Sequence, residues 1–319
     1  MPWERVLETC RLAEELGYGA ITTGEAWGAD AFTTLAQVAM VTSRIRLGTS
    51  IVPVYGRTPA NIAMASLSLD RMSRGRFFLG LGTSGQKVVQ DLHGERFEKP
   101  VARMREYIDI LRKAFSGDYL DHDGEVFHTS RFRLSIKPYR ERLPIYLATL
   151  GPASVRMTGE LADGWLPIYY APSRIAPLIE DLRTGAEGAG RSLTDIKRSP
   201  QVCIYVTNDR RDAYDRERAH IALYIGGMGV FYHQYMHRIG FGAEADRVRE
   251  AYRSFSNRAS AAALVTDEMV DAMTIIGSPT ECRDQIQAYL DSGVDEVRLM
   301  FNEPDPETYI QSLRAVAPG

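Results

Sequence analysis

Arg46-Leu47-Gly48-Thr49-Ser50-Ile51-Val52 reads as a strand, Pro59 to Met72 as a helix, and Phe77-Phe78-Leu79-Gly80-Leu81 as a second strand. This unit decides the fold. A helix between two strands carries the chain back to the starting edge, so the strands lie parallel, with a right-handed crossover. Upstream, Leu7, Leu12 and Leu16 fall at helical spacing and Gly17 stops that helix; Ala20-Ile21-Thr22-Thr23 is strand-like and Phe32 to Val41 helical. Downstream the alternation continues. Val101 to Phe115, Ala153 to Leu161, Ile175 to Ala189 and Cys282 to Leu290 read as helices. Ile145-Tyr146-Leu147, Trp165-Leu166-Pro167-Ile168, Val202 to Val206 and Val297-Arg298-Leu299-Met300 read as strands.

Two segments break the rhythm. Residues 117–139, centred on His122-Asp123-Gly124-Glu125, read as an inserted surface hairpin. Residues 211–273 read as a helical insertion, with a break at Gly226-Gly227-Met228-Gly229. The expected architecture is one α/β domain over residues 1–319, a TIM (β/α)8 barrel with insertions. A closed barrel needs about eight strands, and the chain opens on a helix. The expectation is therefore that the first strand is missing from this chain. An open doubly wound sheet is the rival, since it tolerates one strand fewer.

Composition narrows the function classes. The 319 residues carry 38 Lys and Arg against 41 Asp and Glu, a net charge of −3. Bulk electrostatics thus favour neither nucleic acid nor an anionic membrane. The three cysteines, Cys10, Cys203 and Cys282, are scattered, without CxxC or Cys/His ligand spacing. That usage, with no spanning apolar run and no signal peptide, sets the expectation of a cytoplasmic protein without a metal site. His233 and His237 stand four apart, but Gln234 occupies the place where a zincin carries Glu, so they read as a solvated helix face. No GxSxG elbow is present.

Gly80-Leu81-Gly82-Thr83-Ser84-Gly85 matches GxGxxG literally. A dinucleotide fingerprint belongs on a first strand and needs an acid at the end of the next one, and neither condition holds here. Two other readings stay open: a plain tight turn, or glycines that admit a flat ring to the backbone. Gly48 to Val54 places a polar pair inside an apolar strand, the mark of a bulge or of a strand entering a Pro loop. Leu150-Gly151-Pro152-Ala153 runs from a strand into a helix start whose free N–H groups suit phosphate. Glu25-Ala26-Trp27, Ser50-Ile51 and Gly82 to Gly85 all lie where a strand ends, on the one face where barrel enzymes keep their sites.

These residues resemble the luciferase-like monooxygenase superfamily, and within it the coenzyme F420-dependent branch. The resemblance is carried by Leu12-Ala13-Glu14-Glu15-Leu16-Gly17, Gly24-Glu25-Ala26-Trp27-Gly28, Leu47-Gly48-Thr49-Ser50-Ile51, Leu69-Asp70-Arg71-Met72-Ser73-Arg74-Gly75-Arg76 and Gly159-Glu160-Leu161-Ala162-Asp163-Gly164. Ile275-Ile276-Gly277-Ser278-Pro279 is similar to methylenetetrahydromethanopterin reductase.

The resemblance implies a TIM barrel of the bacterial luciferase type, dimeric or larger, with a non-prolyl cis peptide at Ser50–Ile51. It implies that Glu25, Ser50, Ile51, Val52, Gly82, Thr83, Ser84 and Gly85 contact the cofactor ring. Thr149, Leu150, Gly151 and Pro152 would take its phosphate tail. Trp27 and Tyr55 are the candidate substrate-pocket residues, and residues from about Gly226 to Phe255 the expected cap. The sugar-phosphate dehydrogenases of this branch carry Asp-His where this chain has Glu25-Ala26, and a Glu where it has Gly85 or Gln86, which argues against that reaction. Glu25 stays a candidate catalytic acid, set against a structural bond to backbone. The implied function is hydride transfer between F420 and an organic substrate. The alternatives are an FMN-dependent monooxygenase and a non-catalytic flavin-binding barrel.

Overall fold

The computed structural model describes residues 2–253, 258–303 and 305–318. In chain order its elements are α1 (Trp3–Glu15), β1 (Ala20–Thr23), α2 (Ala31–Val41), β2 (Arg46–Thr49), β3 (Val52–Pro53), α3 (Pro59–Met72), β4 (Phe77–Gly82), α4 (Pro100–Ser116), β5 (His122–Asp123) and β6 (His128–Thr129). Then come β7 (Ile145–Leu147), α5 (Pro152–Leu161), β8 (Gly164–Trp165), α6 (Ala176–Gly188), β9 (Lys197–Arg198), β10 (Gln201–Val206), α7 (Arg210–Gly227), α8 (Phe231–Arg238) and α9 (Gly242–Arg253). The chain closes with α10 (Arg258–Ala262), α11 (Asp267–Met273), β11 (Thr274–Gly277), α12 (Pro279–Asp291), β12 (Arg298–Phe301) and α13 (Pro306–Ala315).

The helices start where local chemistry places them. Asp30, Thr58, Thr266 and Ser278 each cap a helix by accepting a backbone N–H, and Ser278 forms a full capping box with Glu281. Proline stands in the first turn of α3, α4, α5 and α12, where its missing N–H has no partner to lose.

The main sheet is parallel, in the order β1-β2-β4-β7-β8-β9, with β3 also on β4. β9 and β10 are two halves of one strand interrupted at Ser199–Pro200. Ser199 N–H still reaches Trp165 O, and Gln201 N–H reaches Pro167 O. β12 lies along the lower half of β10, from Gln201 to Ile204. Thus β1 and β12 are the two ends of one wall, and among the described residues no ladder joins them.

The wall is nevertheless strongly curled. Arg46 on β2 pairs with Glu296 just before β12, and Arg298 on β12 reaches the Ser50 hydroxyl. Side chains this short can bridge the two ends only if the sheet bends round on itself. Outside the seam, Tyr18 Oη donates to Leu313 O at 2.7 Å, tying the chain after α1 to α13.

Most readings of the sequence match this architecture, including the hairpin β5–β6 and the helix break after Gly227. β11 lies within the segment expected to be helical. It takes the edge of β10 from Cys203 to Val206, which β8 leaves after the Ile168 bridge to Gln201. A stretch of four residues that completes another strand's edge has no periodicity of its own to reveal it. Of the expected cap, Ser254 and Phe255 lie outside the described residues. No helix among the described residues is long and apolar enough to cross a membrane.

Candidate cofactor site

The C-terminal ends of the strands are built around a one-residue bulge. Gly48 pairs with Phe78, but Val52 pairs with Leu81, so four steps on one strand match three on the other. The extra residue falls at Ser50–Ile51, whose peptide bond is cis, as the resemblance implies. Thr49 repairs the interrupted ladder. Its hydroxyl accepts from Gly80 N–H and donates to Gly80 O, both at 2.8 Å. Ser50 N–H donates to Thr23 O, and Glu25 N–H donates to Ile51 O, so the backbone after β1 follows the bulge.

The glycines of the GxGxxG run serve this bulge. A Cβ on Gly80 would strike the Thr49 carbonyl, and one on Gly82 would stand 2.9 Å from the Ile51 side chain. Gly85 meets the Met228 carbonyl, at the break between α7 and α8, where a Cβ would lie 2.8 Å away. Close approach of neighbouring backbone at Gly80 and Gly85, and of the Ile51 side chain at Gly82, explains all three, so the glycines do not need the dinucleotide reading. Ser84 adopts a left-handed φ of 60°, an uncommon conformation for a residue with a side chain, of the kind that clusters at functional sites.

Glu25 is held firmly. Its Oε2 accepts from Ala31 N–H at 3.1 Å and from Arg57 at 2.9 Å, and its Oε1 accepts from Arg57 Nε at 3.3 Å. Arg57 also pairs with Asp30, the cap of α2. The bond to Glu25 raises the Arg57 guanidinium pKa despite partial burial. Burial alone would raise the Asp30 carboxyl, but Thr33 and Arg57 outweigh it and hold it below its ordinary value. Arg57 thus ties Glu25 and Asp30 together. The loop they fix, residues 25–31, presents Trp27 with 65% of its surface exposed.

Other expected residues are placed differently. Tyr55 is buried; its ring stacks on Phe97, Arg103 lies over its face, and its hydroxyl donates to Glu98 O. Thr149 is buried and its hydroxyl is spent on Thr158 at 2.7 Å, while its carbonyl accepts from Trp165 Nε1. Leu150 O accepts from Arg238 Nη1 at 2.6 Å, which brings a guanidinium beside the start of α5. Gly151 is the N-cap of α5 and provides no side-chain cap, and Pro152 has no N–H, so the uncapped donors of that first turn are the N–H groups of Ala153 and Ser154.

Arg298 is a site neighbour that sequence reasoning missed. This arginine is buried, and donates to Ser199 O at 3.0 Å and to the Ser50 hydroxyl at the bulge. Burial pushes its pKa down to about 10, against the pull of Glu296. Its one sequence signal was a charge inside the apolar run Val297-Arg298-Leu299-Met300.

A sequence profile of the luciferase-like monooxygenase family matches residues 1–296 of the chain. The chain belongs to the luciferase-like monooxygenase family. Within that family it is 36% identical over 311 residues to a Mycobacterium tuberculosis protein named as a coenzyme F420-dependent oxidoreductase, covering 92% of this chain and 89% of that one. It is 30% identical over 292 residues to the 5,10-methylenetetrahydromethanopterin reductase of Archaeoglobus fulgidus, covering 90% and 86%. The fold superposes on the coenzyme F420-dependent tetrahydromethanopterin reductase of Methanopyrus kandleri with a TM-score of 0.84 at 24% identity, covering 99% of this chain and 94% of that chain. These luciferase-like relatives are oxidoreductases, and so is this enzyme.

Proposed function

We propose that this luciferase-like enzyme uses coenzyme F420 and exchanges a hydride between it and a small organic substrate, working in a (β/α)8-type barrel. The observation that carries the reading is the bulge at Ser50–Ile51, packed against Gly82, on the strand ends of a chain whose relatives are named for F420. The residues present fit such a group. Gly82 admits the Ile51 side chain of the bulge where a Cβ would stand, and the uncapped N–H groups at the start of α5 lie beside the Arg238 guanidinium, which also pairs with Asp181. When bound, the deazaflavin supplies the hydride chemistry, and the protein supplies position and a dry pocket.

The chain's own residues divide the work. Ser50, Ile51 and Val52 back the ring, while Gly82, Thr83, Ser84 and Gly85 border its edge. Backbone at Thr149, Leu150, Gly151 and Pro152 would take the phosphate tail, with the helix dipole favouring negative charge there and Arg238, itself paired with Asp181, holding Leu150 in place. The Thr149 hydroxyl is committed to Thr158 and contributes only through its main chain. Glu25 is a positioning residue rather than an acid, because Arg57 and Ala31 N–H occupy its carboxylate. It sets the loop that offers Trp27 to the substrate. Tyr55 shapes the loop behind it.

Titration of the purified enzyme with F420 and with FMN tests this. Saturable binding of F420, with FMN weaker by about two orders of magnitude or more, is the expected result. Tight FMN binding with none for F420 overturns it and favours the reduced-flavin monooxygenase. Bound reduced F420 that no acceptor oxidises would favour a binding protein.

A further inference from the structure

We propose that Cys203, Glu217 and His220 form a binding site for a divalent transition metal, with zinc as the best fit, that clamps α7 to β10. Glu217 and His220 stand three apart on α7 and Cys203 lies on β10; the fold brings one donor atom from each within 4.8 Å of the others. His220 Nδ1 stands 3.7 Å from Cys203 Sγ and 3.5 Å from a Glu217 carboxylate oxygen. Tetrahedral zinc, with bonds of about 2.0–2.3 Å to N, O and S, sets its ligands roughly 3.3–3.6 Å apart. The observed separations are close to that.

The site is poorly satisfied by protein alone. The Glu217 side chain is fully buried; its Oε2 accepts from Tyr205 Oη at 2.8 Å, while Oε1 makes no hydrogen bond of good geometry, with His220 Nδ1 3.5 Å away and the Cys203 thiol as the other neighbour of the carboxyl. A buried carboxylate oxygen without a partner is costly. His220 Nδ1 also faces the Tyr169 hydroxyl at 3.1 Å. One ring nitrogen has a single proton or a single lone pair, so it cannot serve three neighbours at once. A cation between Sγ, Oε1 and Nδ1 resolves both problems. Thiolate with imidazole and carboxylate is a donor set that suits zinc and excludes magnesium and calcium. Binding releases the Cys203 thiol proton, and any proton on Nδ1, to solvent.

The clamp has a consequence for the cofactor face. α7 ends at Gly227, and the next residue, Met228, abuts Gly85. A metal holding His220 and Glu217 to β10 therefore fixes the helix whose end closes on the glycine loop.

Cobalt titration of the chelator-treated, full-length protein tests the proposal independently of the cofactor. One equivalent of Co2+ should give an intense near-ultraviolet thiolate-to-cobalt band with visible bands of tetrahedral strength, and Zn2+ should displace both. Cys203→Ser should abolish the near-ultraviolet band, while the double variant His233→Ala/His237→Ala should keep it. That pair, with Asp246, forms the other candidate ligand cluster among the described residues, and it holds no thiol. Zn2+ should also raise the melting midpoint of the wild-type protein by several degrees. Cobalt binding without a thiolate band, no binding at all, or a band that survives in Cys203→Ser would overturn the proposal. The wild-type titration decides the matter even if Cys203→Ser does not fold.

Discussion

The two rims of the curled sheet, below and above its strands, are built on different principles. At the N-terminal ends of the strands, charged side chains are consumed in closing the structure. Glu14 accepts the backbone N–H groups of Ser43, Arg44 and Ile45. Arg76 donates to the carbonyls of Ala39, Thr42, Ile45 and Ser73. Asp163 accepts from Arg112, Arg142 and Ile145 N–H. At the C-terminal ends the structure instead keeps a bulge, a left-handed Ser84, close-packed glycines and an exposed Trp27. The difference teaches that the segments carrying the family resemblance are of two kinds: one set locks loops beneath the sheet, the other leaves a surface free above it. Such a division is general to barrel enzymes, where the lower face reads as stability and the upper as function.

Breaking the lower end should cost most. Burial would push the Asp163 carboxyl up, yet Arg112 and the other donors hold it below its ordinary range. Asp163→Ala leaves Arg112 half-buried without its partner. A loss of about 3–5 kcal/mol is expected in denaturant unfolding, with F420 affinity of the folded fraction unchanged. Glu25→Gln, at the upper end, should cost only about 1–2 kcal/mol. It should weaken F420 or substrate binding several-fold while leaving the pH profile of turnover in place, as the proposed positioning role requires. Loss of one limb of that profile would make Glu25 an acid or base and break the comparison.

Glu14→Gln tests the lower end by pH. Burial would raise this carboxyl, but the N–H groups of Ile45, Arg44 and Ser43 outweigh it and lower its pKa from 4.5 to about 2. A depressed carboxyl contributes stability that is full above about pH 4.5 and is lost as pH falls toward 2. The variant should lose about 1 kcal/mol at neutral pH, a figure reduced for solvent screening, and show a flatter decline between pH 4.5 and 2 in thermal melts. Trp27→Ala should have the smallest effect on stability, within about 0.5 kcal/mol, while raising the substrate KM several-fold. A large stability loss there would mean that the tryptophan is structural.

The sequence alone determined the alternation of strands and helices, the hairpin, the break after Gly227 and the positions of the strand ends. These depend on periodicity, capping and turn residues within a few positions of one another, so a local reading finds them. The bulge was also legible, since Thr49-Ser50 is a polar pair inside an apolar strand. Which side chains stay free at those ends was decided by the tertiary structure. Tyr55 looked available until Phe97 and Arg103 enclosed it, and Thr149 until Thr158 took its hydroxyl. Glu25 is engaged by Arg57, thirty-two positions away along the chain. β11 exists because β10 offers it an edge, and Cys203 meets Glu217 and His220 because α7 folds back over that strand. The physical reason is the same in each case. A side chain's chemistry is set by its partners in space, and long-range partners leave no mark on local spacing.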